Sequence, residues 1–281
     1  MDLRDLEWKS LQYRKRLLSV IRRAGAGHIG GDLSCLDILN VLYNHVLRVS
    51  PDRVADPDRD RYVQSKGHAV EALYVVLADR GFFPDSELDA LCRYGSPFIG
   101  HPTRKTPGIE HNTGALGHGL SVGVGMALAA KLDNRPYRVF VLMGDGELAE
   151  GSIWEACQSA AHYRLDNLIA IVDRNDLQIS GPTESVMALE PLADKFRAFG
   201  LAVREVDGNY LPALVEAFES VPFTPGKPSL LLAHTTKGKG ISFMERRADW
   251  HHHVPDTTEY EAALRELTQA EREWQAHYGV A

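Results

Sequence analysis

The stretch Arg138–Ala156, RVFVLMGDGELAEGSIWEA, passes from an apolar run into Gly-Asp-Gly and then into a segment rich in glutamate. The apolar run lacks the alternation of a half-exposed strand, and LIAIVD at 168–173 has the same character. Such runs are typical of parallel strands that are covered on both faces. With helices predicted between them, they indicate an α/β fold: a doubly wound, mostly parallel sheet with helices on both faces.

Further elements are predicted on both sides of this unit. Residues 92–113 hold six glycines and prolines and predict a long ordered loop, which in a compact domain is often functional. No interdomain linker is evident, so residues 1–281 are predicted to form a single domain. Strands are predicted at 202–206 and 229–234, and helices at about 1–25, 33–47, 68–80, 117–131, 150–163, 191–199, 209–220 and from Thr257 onward.

Composition excludes several classes of protein. The chain has 281 residues, 44% of them hydrophobic, and a formal charge of −7, which argues against a general nucleic-acid binder. Its three cysteines form no CxxC, so neither a disulfide framework nor a zinc ribbon is indicated. The N-terminus does not resemble a signal peptide, and no apolar run is long enough to span a membrane. We therefore predict a cytoplasmic protein without membrane association.

Polar side chains follow two neighbouring strands of the predicted sheet. Asp145 comes directly after the strand at 138–143, and Asn175 follows the strand at 168–173. Ligands of doubly wound sheets bind beyond the carboxyl ends of the strands. A carboxylate, an amide oxygen and a nearby carbonyl would suit Mg²⁺ or Ca²⁺, with phosphate oxygens completing the shell. The alternative is that Gly-Asp-Gly is only a strand-exit turn and Asn175 only a turn residue.

Five motifs in order resemble the transketolase family. GDGELAEG, with Asn175 thirty positions after Asp145, resembles the thiamine diphosphate motif, which begins with GDG and ends in Asn. The resemblance spans about residues 10–255 and implies the fold of the diphosphate-binding (PP) domain. The four other motifs are GAGHIGGDLS (25–34), DRYVQSKGHA (60–69), GHP (100–102) and TGALGHGLSVGVGMA (113–127).

The resemblance implies thiamine diphosphate bound through Mg²⁺, with Ca²⁺ or Mn²⁺ as possible substitutes. It implies that Asp145, Asn175 and the main-chain carbonyl of Leu177 hold the metal. Gly144 and Gly146 would bring backbone amides against the diphosphate. The aminopyrimidine would contact the backbone of two further residues, Gly114 and Leu116.

The resemblance also assigns four histidines to the site: His28, His68, His101 and His251. They are expected to line the substrate channel or contact the cofactor, His68 and His251 doing the latter. Neutral imidazoles suit proton transfer to and from sugar hydroxyls near pH 7. The role of His118, where the family commonly has Gln, stays open. The run 251–253 could instead be a zinc site or a surface run, and Lys237 and Lys239 are interpreted as solvated.

A complete transketolase has roughly twice this length, so the chain looks like half of a split enzyme. The pyrimidine-binding and C-terminal domains are expected on a separate subunit, in a heterotetramer built as a dimer of heterodimers. The expected reaction transfers a two-carbon ketol unit from a ketose phosphate to an aldose phosphate. Three different functions stay open beside it: a specialised ketolase for an unusual sugar, the α-subunit of a 2-oxoacid dehydrogenase first component, and a non-catalytic binding module.

Overall fold

A computed structural model describes residues 1–279 of the chain. This range contains seven strands and nine α-helices, with short 3₁₀ segments and one π-helical turn between them. The strands are β1 (Arg61–Gln64), β2 (Val139–Gly144), β3 (Leu168–Arg174), β4 (Leu177–Gln178), β5 (Gly181–Pro182), β6 (Ala202–Asp207) and β7 (Ser229–His234). The helices are α1 (Leu3–Ala24), α2 (Ile29–Val41), α3 (Val70–Asp79), α4 (Gly119–Leu132), α5 (Gly151–His162), α6 (Thr183–Val186), α7 (Leu192–Ala198), α8 (Leu211–Glu219) and α9 (Thr257–Tyr278).

Five of the strands form one parallel sheet in the order β1-β2-β3-β7-β6. The register pairs Gly144 of β2 with Asp173 of β3, and Asp173 with Ala233 of β7. The three central strands therefore end side by side, and the residues that follow them meet at one edge. The small antiparallel pair β4-β5 lies in the segment that follows β3.

Side chains of successive strand residues enter two separate hydrophobic cores, one on each face of the sheet. In β2, Phe140 and Leu142 pack with α1, α2, α3, α8 and α9, whereas Val141 and Met143 pack with α4, α5 and α7. Burial of each such side chain contributes about 1.5–3 kcal/mol. This two-sided burial explains the uninterrupted apolar runs and confirms the predicted doubly wound fold.

Most predicted elements lie within a few residues of the observed ones, but two predictions near the functional edge were wrong. Strand β1 was not predicted, because its sequence RYVQ is short and half polar. The second helix begins at Ile29 rather than Leu33 and ends at Val41, followed by a π-helical turn at Leu42–Val46. Its first turn includes the glycines at 30 and 31, which sequence propensity assigns to a loop.

Glycines of α4 face the chain's own sheet. A Cβ atom at Gly123 would come within 2.5 Å of Val141, and one at Gly119 within 2.3 Å of Ser65, so both positions require glycine for close packing. Gly125 of the same helix instead faces open space.

Within residues 1–279, no helix combines the length and the apolar character needed to cross a membrane.

Candidate active site

A cavity of ≈ 380 Å³ opens where the parallel strands end. Its walls come from the turn after β2, the segment after β3, the loops that precede α2, α3 and α4, and the segment 235–251. The cavity brings together every residue that the sequence analysis assigned to catalysis, cofactor binding or metal binding: His28, His68, His101, Gly114, Leu116, Gly144, Asp145, Gly146, Asn175, Leu177 and His251.

One wall presents the oxygen atoms predicted to hold a metal. Asp145 is 2% exposed, and its Oδ2 accepts a hydrogen bond from the Asp176 N–H at 2.7 Å. Asn175 is 8% exposed, and its Oδ1 accepts from the Leu177 N–H at 3.2 Å. These bonds hold both side chains at the edge of the cavity, although they occupy only part of the acceptor capacity of each oxygen.

The donor set fits a hard divalent cation. Burial and the neighbouring Asp173 raise the pKa of Asp145 to about 6, despite the opposing Arg174 guanidinium 3.3 Å from Oδ2. A cation bound nearby would stabilise the ionised form of this buried carboxyl group, because opposite charges attract. Carboxylate, amide and carbonyl oxygens are also the ligands that Mg²⁺ and Ca²⁺ take in proteins.

Arg174 connects this wall to the segment that follows β3. Its guanidinium is 3% exposed and donates to Thr183 at 2.6 Å, to Glu184 at 3.2 Å and to Glu190 at 3.0 Å. Arg174 therefore holds the loop containing β4, β5 and α6 against Asp145. Arg174 was not predicted as a site residue, since one arginine between Asp and Asn carries no recognisable signal.

A buried ion pair lies behind the oxygen-bearing wall. Lys66 and Asp173 pair directly with side chains at most 1% exposed, and Lys66 Nζ also donates to the Gly31 carbonyl at 2.9 Å. Burial alone would lower the pKa of Lys66, but the Asp173 carboxylate outweighs it and raises that pKa. Asp173 also accepts from Ser34 at 2.6 Å. The pair ties α2, the loop after β1 and the end of β3 together.

Lys237 lies inside the cavity, so the interpretation of both loop lysines as solvated was wrong for this one. It is 1% exposed, whereas the Lys239 side chain is 39% exposed and lies 3.7 Å from Glu245. Lys237 Nζ lies 3.0 Å from His251 Nδ1, and within residues 1–279 it has no carboxylate partner. Burial, with a smaller contribution from Lys66, lowers the pKa of Lys237 to about 8. Such a cation is well placed for an anionic ligand.

The four predicted histidines form one cluster on the facing wall. The ring of His28 lies 5.3 Å from that of His68, 6.2 Å from His101 and 5.7 Å from His251, measured between centroids. The rings of His68 and His251 are 5.3 Å apart. His28 Nδ1 is buried and has no hydrogen-bond partner in the described range.

Burial keeps this cluster uncharged. It lowers the pKa of His28 to about 4 and of His251 to about 3, with further lowering by neighbouring histidines and lysines. The pKa of His68 falls well below its ordinary value for the same reason, and burial also lowers that of His101. The four imidazoles are therefore neutral at pH 7, which is the state needed to accept a proton from a hydroxyl.

We expect the His28 ring to stay neutral from pH 8 down to about pH 5. Its folded pKa lies below the unfolded value near 6.5, so acidification below about pH 6.5 destabilises the folded chain. Histidine ring resonances followed by NMR check this. A His28 midpoint near pH 6.5 in the folded chain would contradict the expectation.

Glu147 links the turn after β2 to the loop before α4 through hydrogen bonds. Its carboxylate accepts from Ser65, from the Gly117 N–H at 2.9 Å and from the Gly144 N–H at 3.0 Å. The Gly146 N–H donates to Asp145 at 2.8 Å. Both glycine amides expected to face the diphosphate are thus engaged within the chain, although both residues line the cavity. The sequence offered no signal for this role beyond the acidic position itself.

The structure places the remaining candidates outside the cavity lining. His118 is exposed at the start of α4, and His252 and His253 are exposed beyond His251. The His252 ring lies 4.5 Å from His28, while His253 pairs with Glu259 at 2.9 Å. Within residues 1–279, no group of three or more His, Cys, Asp or Glu side chains could hold a metal ion. The zinc interpretation of the histidine run therefore has no support.

Comparison with known proteins identifies the family. The family described as "Transketolase, thiamine diphosphate binding domain" matches residues 9–271. The chain is 54% identical over 269 residues to one subunit of the apulose-4-phosphate transketolase of Phocaeicola vulgatus, covering 96% of both chains. It is 44% identical over 264 residues to the 6-deoxy-6-sulfo-D-fructose transketolase subunit SqwG of Clostridium sp., covering 94% of this chain and 96% of that one.

Among solved structures, the transketolase of Campylobacter jejuni superimposes with a TM-score of 0.85 at 29% identity. The match covers 98% of this chain and 48% of the Campylobacter chain, so this chain spans about half of that transketolase. The motifs that suggested the family, the fold and the comparisons agree. The chain therefore belongs to the transketolase family, as a subunit of the type that carries its thiamine diphosphate binding domain.

Proposed function

We propose that this chain is the diphosphate- and metal-binding subunit of a split transketolase. With a partner subunit it would transfer a two-carbon ketol unit from a ketose phosphate to an aldose phosphate. The observation that carries the proposal is the single cavity that joins a hard-oxygen wall, a buried unpaired lysine and four neutral histidines. Family membership supports thiamine diphosphate as the cofactor.

Each wall has a distinct part in holding the cofactor. Asp145, Asn175 and the Leu177 carbonyl would hold the divalent cation, and Lys237 would bind diphosphate oxygens. Gly114 has a φ of +144°, and a Cβ there would come within 3.0 Å of the His101 ring, so the backbone itself lines this part of the cavity. The aminopyrimidine contact proposed for Gly114 and Leu116 uses that backbone.

When bound, thiamine diphosphate supplies the electron sink that cleavage of a carbon–carbon bond beside a carbonyl requires. The histidines of this chain would orient the substrate and move its protons. His28, His68 and His101 line the same cavity, so their rings would contact the same substrate and exchange protons with its hydroxyls. His251, whose Nδ1 lies 3.0 Å from Lys237 Nζ, would contact the diphosphate end.

Replacing His68 or His101 with alanine tests the histidine roles. We expect kcat in the assembled enzyme to fall by roughly 100-fold or more, because general acid–base groups typically contribute that much. The affinity for thiamine diphosphate should change much less, since the metal and Lys237 provide most of the binding. Steady-state kinetics and cofactor titration separate the two effects.

His118→Ala is the matched control, because His118 is exposed outside the cavity lining. The control enzyme should keep the kcat of the unmodified one. Full turnover by the His68 or His101 variant, measured with the partner subunit present, would make that histidine structural and remove it from the proposal.

The partner subunit is proposed from two observations. The Phocaeicola and Clostridium relatives are each named as one subunit of a transketolase, and this chain covers nearly all of both. Glu150 and Glu155 are exposed, and Gly125 and Gly151 leave open space on α4 and α5 where another chain could approach closely. We propose that the partner supplies the pyrimidine-binding half, in a dimer of heterodimers.

The sugar is proposed to be an uncommon one. By their names, the two relatives act on apulose 4-phosphate and on 6-deoxy-6-sulfo-D-fructose. This favours a specialised ketolase over an enzyme of general sugar metabolism. Assaying the assembled enzyme with apulose 4-phosphate, 6-deoxy-6-sulfo-D-fructose and a common ketose phosphate decides the point: a higher kcat/KM for the common ketose would overturn it.

Neither of two alternative functions, a 2-oxoacid dehydrogenase subunit or a non-catalytic binding module, is supported. The matching family is that of transketolase rather than of a 2-oxoacid dehydrogenase. A non-catalytic module would have no need for a cluster of buried, neighbouring histidines and a buried lysine around an open cavity. A cytoplasmic location remains a prediction from the sequence.

A further inference from the structure

Two buried carboxyl groups lie behind the histidine wall, outside the cavity lining. Asp32 is on the first turn of α2 and Glu71 on the first turn of α3, and both are 0% exposed. The helices begin next to His28 and His68 respectively, the two histidines whose rings lie 5.3 Å apart. The Ala72 N–H donates to Asp32 Oδ1 at 2.9 Å, which brings the Asp32 carboxyl to the first turn of α3, next to Glu71.

The hydrogen bonds around this pair are incomplete. Asp32 Oδ1 accepts from the Ala72 N–H at 2.9 Å, one of the free amides of the first turn of α3. Asp32 Oδ2 and both carboxyl oxygens of Glu71 meet no N–H or O–H donor within residues 1–279. Buried polar atoms in native proteins almost always have a partner. A proton held between the two carboxyl groups supplies one.

The charges around the pair lead to the same state. The nearest cation, Lys66, is committed to Asp173 and to the Gly31 carbonyl. Two other groups act on the pair: the His28 backbone lowers the pKa of Asp32, and Cys92 raises that of Glu71. Two buried carboxylates without their own cation cannot both ionise at neutral pH. Burial raises the pKa of both groups, that of Asp32 to about 7.

We propose that Asp32 and Glu71 share a proton at neutral pH and act as positioning residues that hold the His28 and His68 loops together. The inference rests on the proposed function only for its effect on turnover. The linkage runs from the pair through the first turns of α2 and α3, where Gly31 also lies against the His68 ring: a Cβ at Gly31 would be 3.5 Å from His68 Nε2. Neither carboxyl group touches substrate or cofactor.

Infrared spectroscopy tests the shared proton on this chain alone. The unmodified chain at pH 7 should show the carbonyl stretch of a protonated carboxylic acid. Glu71→Gln should remove that band, because the amide donates to an ionised Asp32 in place of the shared proton. Glu216→Gln is the matched control, since Glu216 is exposed on α8, and should keep the band. An unchanged spectrum in Glu71→Gln would overturn the proposal.

The pH dependence of stability gives a second readout. Because the folded pair keeps a proton that the unfolded chain releases, the contribution of the pair to the unfolding free energy should fall as pH rises from about 4 toward the folded pKa values, opposite in sign to the contribution of the four histidines. Glu71→Gln should flatten this slope, and Glu216→Gln should not. Equal slopes in the unmodified chain and in Glu71→Gln would contradict proton sharing.

Turnover with the partner subunit tests positioning. Glu71→Leu removes the link and should lower kcat by roughly 10- to 100-fold, because small displacements of reacting groups are costly. Glu71→Gln should recover most of this loss, with thiamine diphosphate affinity nearly constant throughout. Normal turnover in Glu71→Leu, or equal losses in both variants, would overturn the positioning role. If Glu71→Leu does not fold, NMR shifts of the His28 and His68 rings in Glu71→Gln decide: conserved shifts support the proposal, and displaced rings overturn it.

Discussion

A chain carrying Asp145→Ala is expected to keep its fold and to lose Mg²⁺-dependent binding of thiamine diphosphate. Asp145 presents the one carboxylate of the proposed metal ligand set, at the point where β2 ends beside β3. Even groups that only support a metal ligand are worth about 10- to 100-fold in metal affinity, so loss of the ligand itself should cost more than about 100-fold. Calorimetric titration of the cofactor in the presence of Mg²⁺ measures this loss.

The fold should survive because the folded chain gains little from an ionised Asp145. Burial already disfavours its charge, as its raised pKa shows. Asp207→Ala is the matched control: Asp207 also ends a parallel strand, but it is exposed and outside the cavity. Unchanged cofactor affinity in a folded Asp145→Ala chain would remove this residue from the metal site.

Lys237→Met is expected to weaken thiamine diphosphate binding by roughly 30-fold or more. Truncating one partner of a buried, charge-paired contact costs about 2–5 kcal/mol, which corresponds to at least that factor. Without an anion, Lys237 is a buried cation beside a histidine, so its replacement should leave the stability of the free chain equal or higher. Thermal unfolding with and without cofactor measures both effects.

Lys239→Met provides the control two residues away in the same loop. Lys239 is partly exposed and pairs with Glu245, and surface pairs of this kind contribute little. Its variant should bind cofactor as the unmodified chain does. Equal losses of affinity in the two variants would mean that only the net positive charge of the loop matters for cofactor binding. Lys237 would then have no specific contact with the diphosphate.

The oxygen-bearing wall of the cavity could be predicted because strand ends are local features of the sequence. Asp145 and Asn175 each follow an apolar run, and parallel strands necessarily bring their carboxyl ends together. The histidine cluster could not be derived in this way. His28, His68 and His101 lie in loops whose meeting point depends on helix packing, so only the family resemblance placed them together.

The missed residues share a physical reason. Lys66, Glu147 and Lys237 are charged side chains in glycine-rich loops, where sequence alone favours exposure. Asp173 compensates the charge of Lys66, and backbone amides from other segments compensate that of Glu147. For Lys237, the compensating group is the proposed diphosphate. Such partners are invisible until the chain is folded.

The most direct test of the split-subunit account is a steady-state assay of ketol transfer. It contains ketose donor, aldose acceptor, Mg²⁺ and thiamine diphosphate, with and without a pyrimidine-binding partner subunit. The family resemblance assigns the acid that activates the aminopyrimidine to the pyrimidine-binding half. Within this chain, Glu147 is committed to Ser65 and two backbone amides, and Glu150 is exposed outside the cavity lining. The account predicts no turnover by this chain alone and restored turnover with the partner. Robust turnover by the purified chain alone would contradict it.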